Sequence, residues 1–191
     1  MGGAGLKSET LTLRVIEALN ELGLEYMLVG SFSSNVYGIP RSTKDADFVV
    51  DFGSRSAVEL VALIGPDFQL EPQMSFETIT GTKRHRLRHA ESAFMIELFL
   101  PSDDPHDRER FSRRQSLMFA GAATFVPTVE DVIVTKLRWS RQGKRDKDVD
   151  DVRDVISVSG GMVDWDYVNR WCELHGTRDL LDGVRRSAPQ L

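Results

Sequence analysis

Leu11, Val15, Ile16, Leu19 and Leu22 recur at helical spacing and predict an amphipathic helix from Ser8 to Leu22, capped by Ser8 or Thr10. Gly23 ends it, and the apolar run from Glu25 to Val29 reads as a strand. Gly30 and Ser31 open a short helix that stops by Gly38-Ile39-Pro40. Asp47 to Phe52 is a second strand, because Phe48, Val49 and Val50 are too few and too β-rich for a helix. Ser56 to Ile64 predicts a helix ended by Gly65-Pro66, and three more strands follow at Phe68–Leu70, Glu77–Arg88 and Phe94–Leu100. Pro101 to Pro105 reads as a loop. After Pro127 the periodicity is helical throughout, at Val129–Ser140, Arg145–Ser157, Trp165–His175 and Arg178–Ser187.

This order predicts an α+β fold, with a mixed sheet and helices on one face, followed by a helical extension. The expected division is an α/β domain over residues 1–126 and a helical region over 127–191. A chain of 191 residues suits one compact domain with such an appendage. No apolar run approaches the ~20 residues of a membrane span. The glycine-rich start, Met1 to Gly5, lacks the features of a signal peptide and reads as a flexible lead-in. The single cysteine, Cys172, excludes an internal disulfide and lies in an apolar-patterned helix, where a buried thiol is favoured over a nucleophile. A cytoplasmic protein without membrane attachment is expected. The net charge of −5 argues against non-specific coating of nucleic acid.

The chemistry-bearing stretch is Gly30-Ser31, followed after thirteen residues by Asp45-Ala46-Asp47. Residues two apart on a strand share a face, so Asp45 and Asp47 project together while Ala46, Phe48 and Val50 point to the core. Two neighbouring carboxylates repel unless a cation sits between them, and Mg²⁺ suits few carboxylates plus substrate phosphates. A strand that turns into a helix at Gly30-Ser31 exposes backbone N–H groups to which a phosphate is attracted. Glu97 interrupts the apolar run from Phe94 to Leu100, a costly place for a charge unless it is used or paired. It is a candidate third acid for a two-metal transfer.

Each feature has a plainer reading. The aspartates could be solvated charges at a strand entrance, and Glu97 could pair with an arginine of the preceding hairpin strand. Arg84, Arg86 and Arg88 share one strand face, either solvated or tracking phosphates. Lys136 follows Val132, Ile133 and Val134 and is directed inward, or it lies at a helix edge. The segment from Lys136 to Lys147 holds six Lys or Arg and one Asp. Arg145, Lys147, Asp148 and Asp151 are spaced for helix-surface ion pairs. The four histidines show no metal-ligand spacing, and Trp139, Trp165 and Trp171 read as core packing.

Gly30-Ser31, the Arg41 to Asp47 segment and the apolar-flanked Glu97 together resemble the DNA polymerase β-type nucleotidyltransferase superfamily. Pro127 to Asp131 leading into Lys136, and then Arg145 to Asp151, are similar to its minimal branch, which includes AbiEii-type toxins. The resemblance covers roughly residues 24–155. It implies transfer of a nucleoside monophosphate from an NTP to an acceptor hydroxyl, with pyrophosphate released. The acceptor would be tRNA or other RNA, a protein, or a small molecule such as an aminoglycoside. It also implies two Mg²⁺ ions, or Mn²⁺ in their place, on Asp45, Asp47 and Glu97. Gly30, Ser31, Arg41 and Lys136 would contact the nucleotide phosphates, and Asp148 would act as base or orienter. The third acid is more commonly Asp, so Glu97 and Asp148 compete for that role. A toxin would have a cognate antitoxin as partner. The rival from another class is a non-catalytic nucleotide-binding or protein-interaction module on the same fold.

Overall fold

A computed structural model describes residues 3–76, 81–143 and 146–189. The chain divides into two compact units, one of residues 1–32 and 42–126, the other of residues 33–41 and 127–191. The second unit thus takes in the short stretch Ser33–Arg41 as well as the helical region that follows Pro127.

The first unit carries α1 (Gly3–Glu21), β1 (Glu25–Val29), the start of α2 (Gly30–Tyr37), β2 (Asp45–Asp51), α3 (Ala57–Ile64), β3 (Phe68–Leu70), β4 (Ser75–Phe76), β5 (Lys83–His89), β6 (Met95–Phe99), α4 (Pro105–Ser112), β7 (Gln115–Phe119) and β8 (Ala122–Val126). Among the described residues six strands form a mixed sheet in the order β1-β2-β6-β5-β3, with β4 on β5. Its β2–β6 pair is parallel and the others are antiparallel. Alternation decides the layers. Tyr26, Leu28, Ala46, Phe48, Val50, Leu87, Ile96 and Leu98 are buried in one core with Val15, Ile16, Leu19, Leu60 and Ile64 of α1 and α3. Those two helices therefore cover one face, and the intervening residues, Asp45, Asp47 and Glu97 among them, stand on the other.

The first helix starts at Gly3 rather than Ser8, and Ser8 lies inside it, accepting through its carbonyl from Thr12 Oγ1 at 2.8 Å. No proline intervenes after Gly3, and each further residue extends the ladder by one bond. Ser56 caps α3 in a reciprocal box with Glu59. The expected loop at Pro101–Pro105 ends as a helix start, because Pro105 sits at the first turn of α4 and Asp104 accepts from the N–H groups of His106 and Asp107. The β7–β8 hairpin has no counterpart in the pattern of the sequence. Its two-residue turn, Ala120-Gly121, has φ of 47° and 93° and lacks the Asn-Gly or Asp-Gly signal such turns favour. Residues 77–80 of the expected Glu77–Arg88 strand lie outside the described residues, as does Arg145 at the expected helix start.

The second unit contains α5 (Val129–Gly143), α6 (Asp146–Ser159), a 3₁₀ turn at Gly160–Met162, α7 (Trp165–Leu174) and α8 (Arg178–Ser187). Ile133, Leu137, Val152, Val155, Val168, Cys172 and Leu181 are fully buried in its core. Burial raises the Cys172 thiol, as expected of a structural cysteine. Among the described residues no helix is long and apolar enough to cross a membrane.

Candidate active site

The end of β1 and the start of α2 are joined at Gly30, whose φ of +65° is a left-handed conformation that glycine adopts at little cost. A Cβ there would lie 2.1 Å from Asp47 Oδ2, so the bare Cα admits the carboxylate of the neighbouring strand. The register explains the approach, since Val29 pairs with Asp47 across β1 and β2. An anion at a helix N-terminus also meets the positive end of the helix dipole. Asp45 lies two residues earlier on the same face, and Thr43 Oγ1 donates to its Oδ1 at 2.6 Å. Both aspartates are half-buried, and Ser31 is buried at the first turn of α2.

Asp47 pairs in turn with Glu97 across the parallel β2–β6 junction, and Glu97 pairs with Arg86 across β6 and β5. Asp47, Glu97 and Arg86 therefore form a row across one face of the sheet. Arg84 Nη1 donates to Glu97 Oε2 at 2.9 Å and Arg86 Nε to Oε1 at 3.0 Å. The Glu97 side chain is 15% exposed, and this half-buried acid is paired on both oxygens. It takes the arginine partners that the plainer reading of the sequence anticipated. The row of arginines is carboxylate-bound beyond Glu97 as well, with Arg88 Nε 2.5 Å from Glu71 Oε1. Among the described residues, no three or more His, Cys, Asp or Glu side chains are grouped to hold a metal ion. Asp45 and Asp47 suit a hard divalent cation as a pair, with the Gly30 cradle placing one of them at the turn, whereas Glu97 would first have to leave its arginines.

The remaining sequence candidates lie in the second unit. Lys136 of α5 is buried and its Nζ donates to Asp148 Oδ1 at 2.9 Å and Asp151 Oδ2 at 2.7 Å. Asp148 is fully enclosed by the fold. Arg41 grips Asp151 with a two-pronged contact, Nε to Oδ1 at 2.7 Å and Nη2 to Oδ2 at 2.9 Å. Burial alone would raise the Asp151 carboxyl, but the Arg41 hydrogen bonds and the Lys136 charge outweigh it and leave it below its ordinary value. Asp148 and Asp151 are thus not solvated surface pairs. They fall in the helical register of Val152, Val155 and Ser159, the buried stripe of α6. That register marks Asp151 as buried, whereas spacing alone groups it with surface charges. Asn35 is not among the residues that the sequence pattern singles out. Its side-chain amide donates to the Arg41 carbonyl at 2.7 Å and its oxygen accepts from the Arg41 N–H at 3.1 Å. Nearby, Tyr37 donates to the Pro127 carbonyl, and burial with the charges of Glu130 and Asp131 pushes its phenol up to about 12.

No family model and no curated protein matches the chain. Solved structures do. The antibiotic-resistance factor ANT(2'')-Ia in solution aligns with a TM-score of 0.63 at 12% identity, over 96% of this chain and 98% of that one. JHP933 from Helicobacter pylori aligns with a TM-score of 0.59 at 15% identity, over 98% and 93% of the two chains. An antigenic nucleotidyltransferase-like protein from Paracoccidioides brasiliensis gives 0.52 at 18% identity, over 96% and 94%. The chain has the nucleotidyltransferase fold. It is the α+β architecture, a mixed sheet with helices, expected from the order of elements.

Proposed function

We propose that this nucleotidyltransferase-fold chain moves a nucleoside monophosphate from an NTP to an acceptor hydroxyl and releases pyrophosphate. The observation that carries the reading is the seating of Asp47 against the bare Cα of Gly30, with Asp45 beside it on the same face. Gly30 and Ser31 offer the N–H groups and hydroxyl of a helix start to the phosphates. Asp45 and Asp47 would hold Mg²⁺, or Mn²⁺, which when bound stabilises charge on the phosphoryl oxygens. Thr43 steadies Asp45, and the sheet register holds Asp47. Positioning of this kind supplies much of the acceleration in phosphoryl transfer.

Glu97 is read as an acid that balances Arg84 and Arg86 rather than as a third metal ligand. Arg41 and Lys136 are already engaged with carboxylates, so a phosphate that met either one would compete with Asp151 and Asp148. The acceptor is proposed to be a small hydroxylated molecule. Support comes from the net charge of −5 and from the carboxylates, Glu71 and Glu97, that already accompany the arginine row. ANT(2'')-Ia, of like fold at a TM-score of 0.63, has been seen with adenylyl-2''-tobramycin. A cytoplasmic location accords with this reading.

The test incubates the purified chain with each labelled NTP, Mg²⁺ or Mn²⁺, and separate acceptor pools of aminoglycosides, tRNA and protein, beside Asp47→Asn. Label entering a small molecule with the wild type alone is the expected result. Label that persists in Asp47→Asn removes the assigned site, and label in tRNA or protein overturns the acceptor class. The second reading, nucleotide binding without transfer, is favoured by one observation, the double arginine hold on Glu97. NTP binding without label in any pool would select it.

A further inference from the structure

The stretch Ser33–Arg41 lies in sequence between the two halves of the proposed site, Gly30-Ser31 before it and Asp45-Asp47 after it, yet it belongs to the helical unit. It is held there at successive points. Tyr37 donates its hydroxyl to the Pro127 carbonyl at 2.9 Å, and its own carbonyl accepts from Ser159 Oγ at 2.6 Å. The backbone of Gly38 lies against α6 so closely that a Cβ would fall 3.0 Å from the Val155 nitrogen. Arg41 is the last and best-secured point. Its peptide groups are clamped by the Asn35 amide and its guanidinium is forked onto Asp151. Asp151 is itself kept in place by Lys136, at 2.7 Å.

Such a fork fixes direction as well as distance, because a planar guanidinium meets both carboxylate oxygens at once. The residue so fixed is the one from which the chain leaves the helical unit. Only Ser42, Thr43 and Lys44 separate it from Asp45.

We propose that Asp151 is a positioning residue for nucleotidyl transfer: by forking Arg41 it sets the exit of the chain that delivers Asp45 and Asp47. The inference rests on the transfer reaction proposed above. Asp151 touches neither substrate nor reacting atoms in this scheme. Asn35 performs the same task on the Arg41 backbone.

The test uses the full chain with Asp151→Asn, which keeps the shape of the side chain and leaves Asp148 as counter-ion to Lys136. Transfer should fall by roughly 10–100-fold in kcat while KM for the NTP moves less than about 3-fold. Asn35→Ala should lower kcat in the same direction, and Asp151→Asn combined with Arg41→Gln should be no worse than the more severe single change. Leu181→Ala, in the helical core, serves as a destabilised control and should keep its kcat at temperatures where it is folded. Amide exchange across residues 38–44 should quicken in Asp151→Asn. An unchanged kcat, a loss confined to KM, or a loss matched by the Leu181→Ala control overturns the proposal. Should the wild type transfer no label, the transfer reading fails on its own account. The exchange measurement then still decides the anchoring, and unaltered exchange at 38–44 would refute it.

Discussion

Asp45 and Asp47 stand half-exposed on a sheet face, whereas Asp148 and Asp151 lie buried in a helical unit with Lys136 and Arg41 against them. The residue type is the same and the spacing nearly so, two apart on a strand in one case and three apart on a helix in the other. What differs is the depth of burial. The buried acids meet Lys136 and Arg41 inside the helical unit, and removing a partner leaves a charge stranded away from water. The sheet aspartates are half-buried beside a helix start, the setting in which the proposed function places a cation and phosphate. Glu97 stands on the same face as Asp47, is half-buried like it, and is held by two arginines.

Substitutions can sharpen this contrast. The largest effect is expected from Asp47→Asn, which should lower transfer by at least about 10³-fold, as loss of several kcal/mol of charge stabilisation would. Its melting temperature should move little, and a parallel collapse of stability would place Asp47 with the buried class instead. Lys136→Met should act in the opposite sense, destabilising the fold by roughly 3–5 kcal/mol because Asp148 and Asp151 lose the ammonium they share, with Arg41 left on Asp151. Urea unfolding followed by circular dichroism would read this directly.

Gly30→Ala is expected to cost about 1–2 kcal/mol from the left-handed backbone alone. The collision with Asp47 Oδ2 should also depress activity beyond what the stability loss explains. For Glu97→Gln the expectation is a loss in transfer of less than about tenfold, equivalent to 1.4 kcal/mol. A loss as deep as that of Asp47→Asn would restore Glu97 to the metal-binding set.

The smallest effect concerns acid. The Asp151 carboxyl is lowered in the folded chain, so its contribution to stability is fully present above its unfolded value, about 3.9, and is lost as pH falls through the lowered folded value. Asp151→Asn should flatten that acid limb of the unfolding profile, and an unaltered limb would argue against the pairing.

Much of this was legible from the chain because local rules carried it. Strand alternation put Asp45 and Asp47 on one side and Ala46, Phe48 and Val50 on the other, and β1, β3 and α8 begin and end where the pattern placed them. The Ser56 box and the Gly65 stop bounded α3 for equally local reasons. The misses were of two kinds. Asp104-Pro105 reads as a loop until Pro105 is recognised as a helix start, and the Ala120-Gly121 turn uses a residue seldom found at positive φ. The plainer reading of Glu97 named an arginine partner, but not which arginines.

The amino-acid sequence by itself determined which side of each strand and helix a residue occupies, since that follows from periods of two and 3.6 along a single segment. It also set where β1 turns into α2, through a glycine that can adopt the left-handed backbone. Only tertiary structure decided what each charge meets. Whether Glu97 faces two arginines depends on the register of β5 against β6, and whether Asp151 is buried with Arg41 depends on segments 110 residues apart packing together. Pairing of that kind is a property of neighbours across the fold, and no local spacing encodes it.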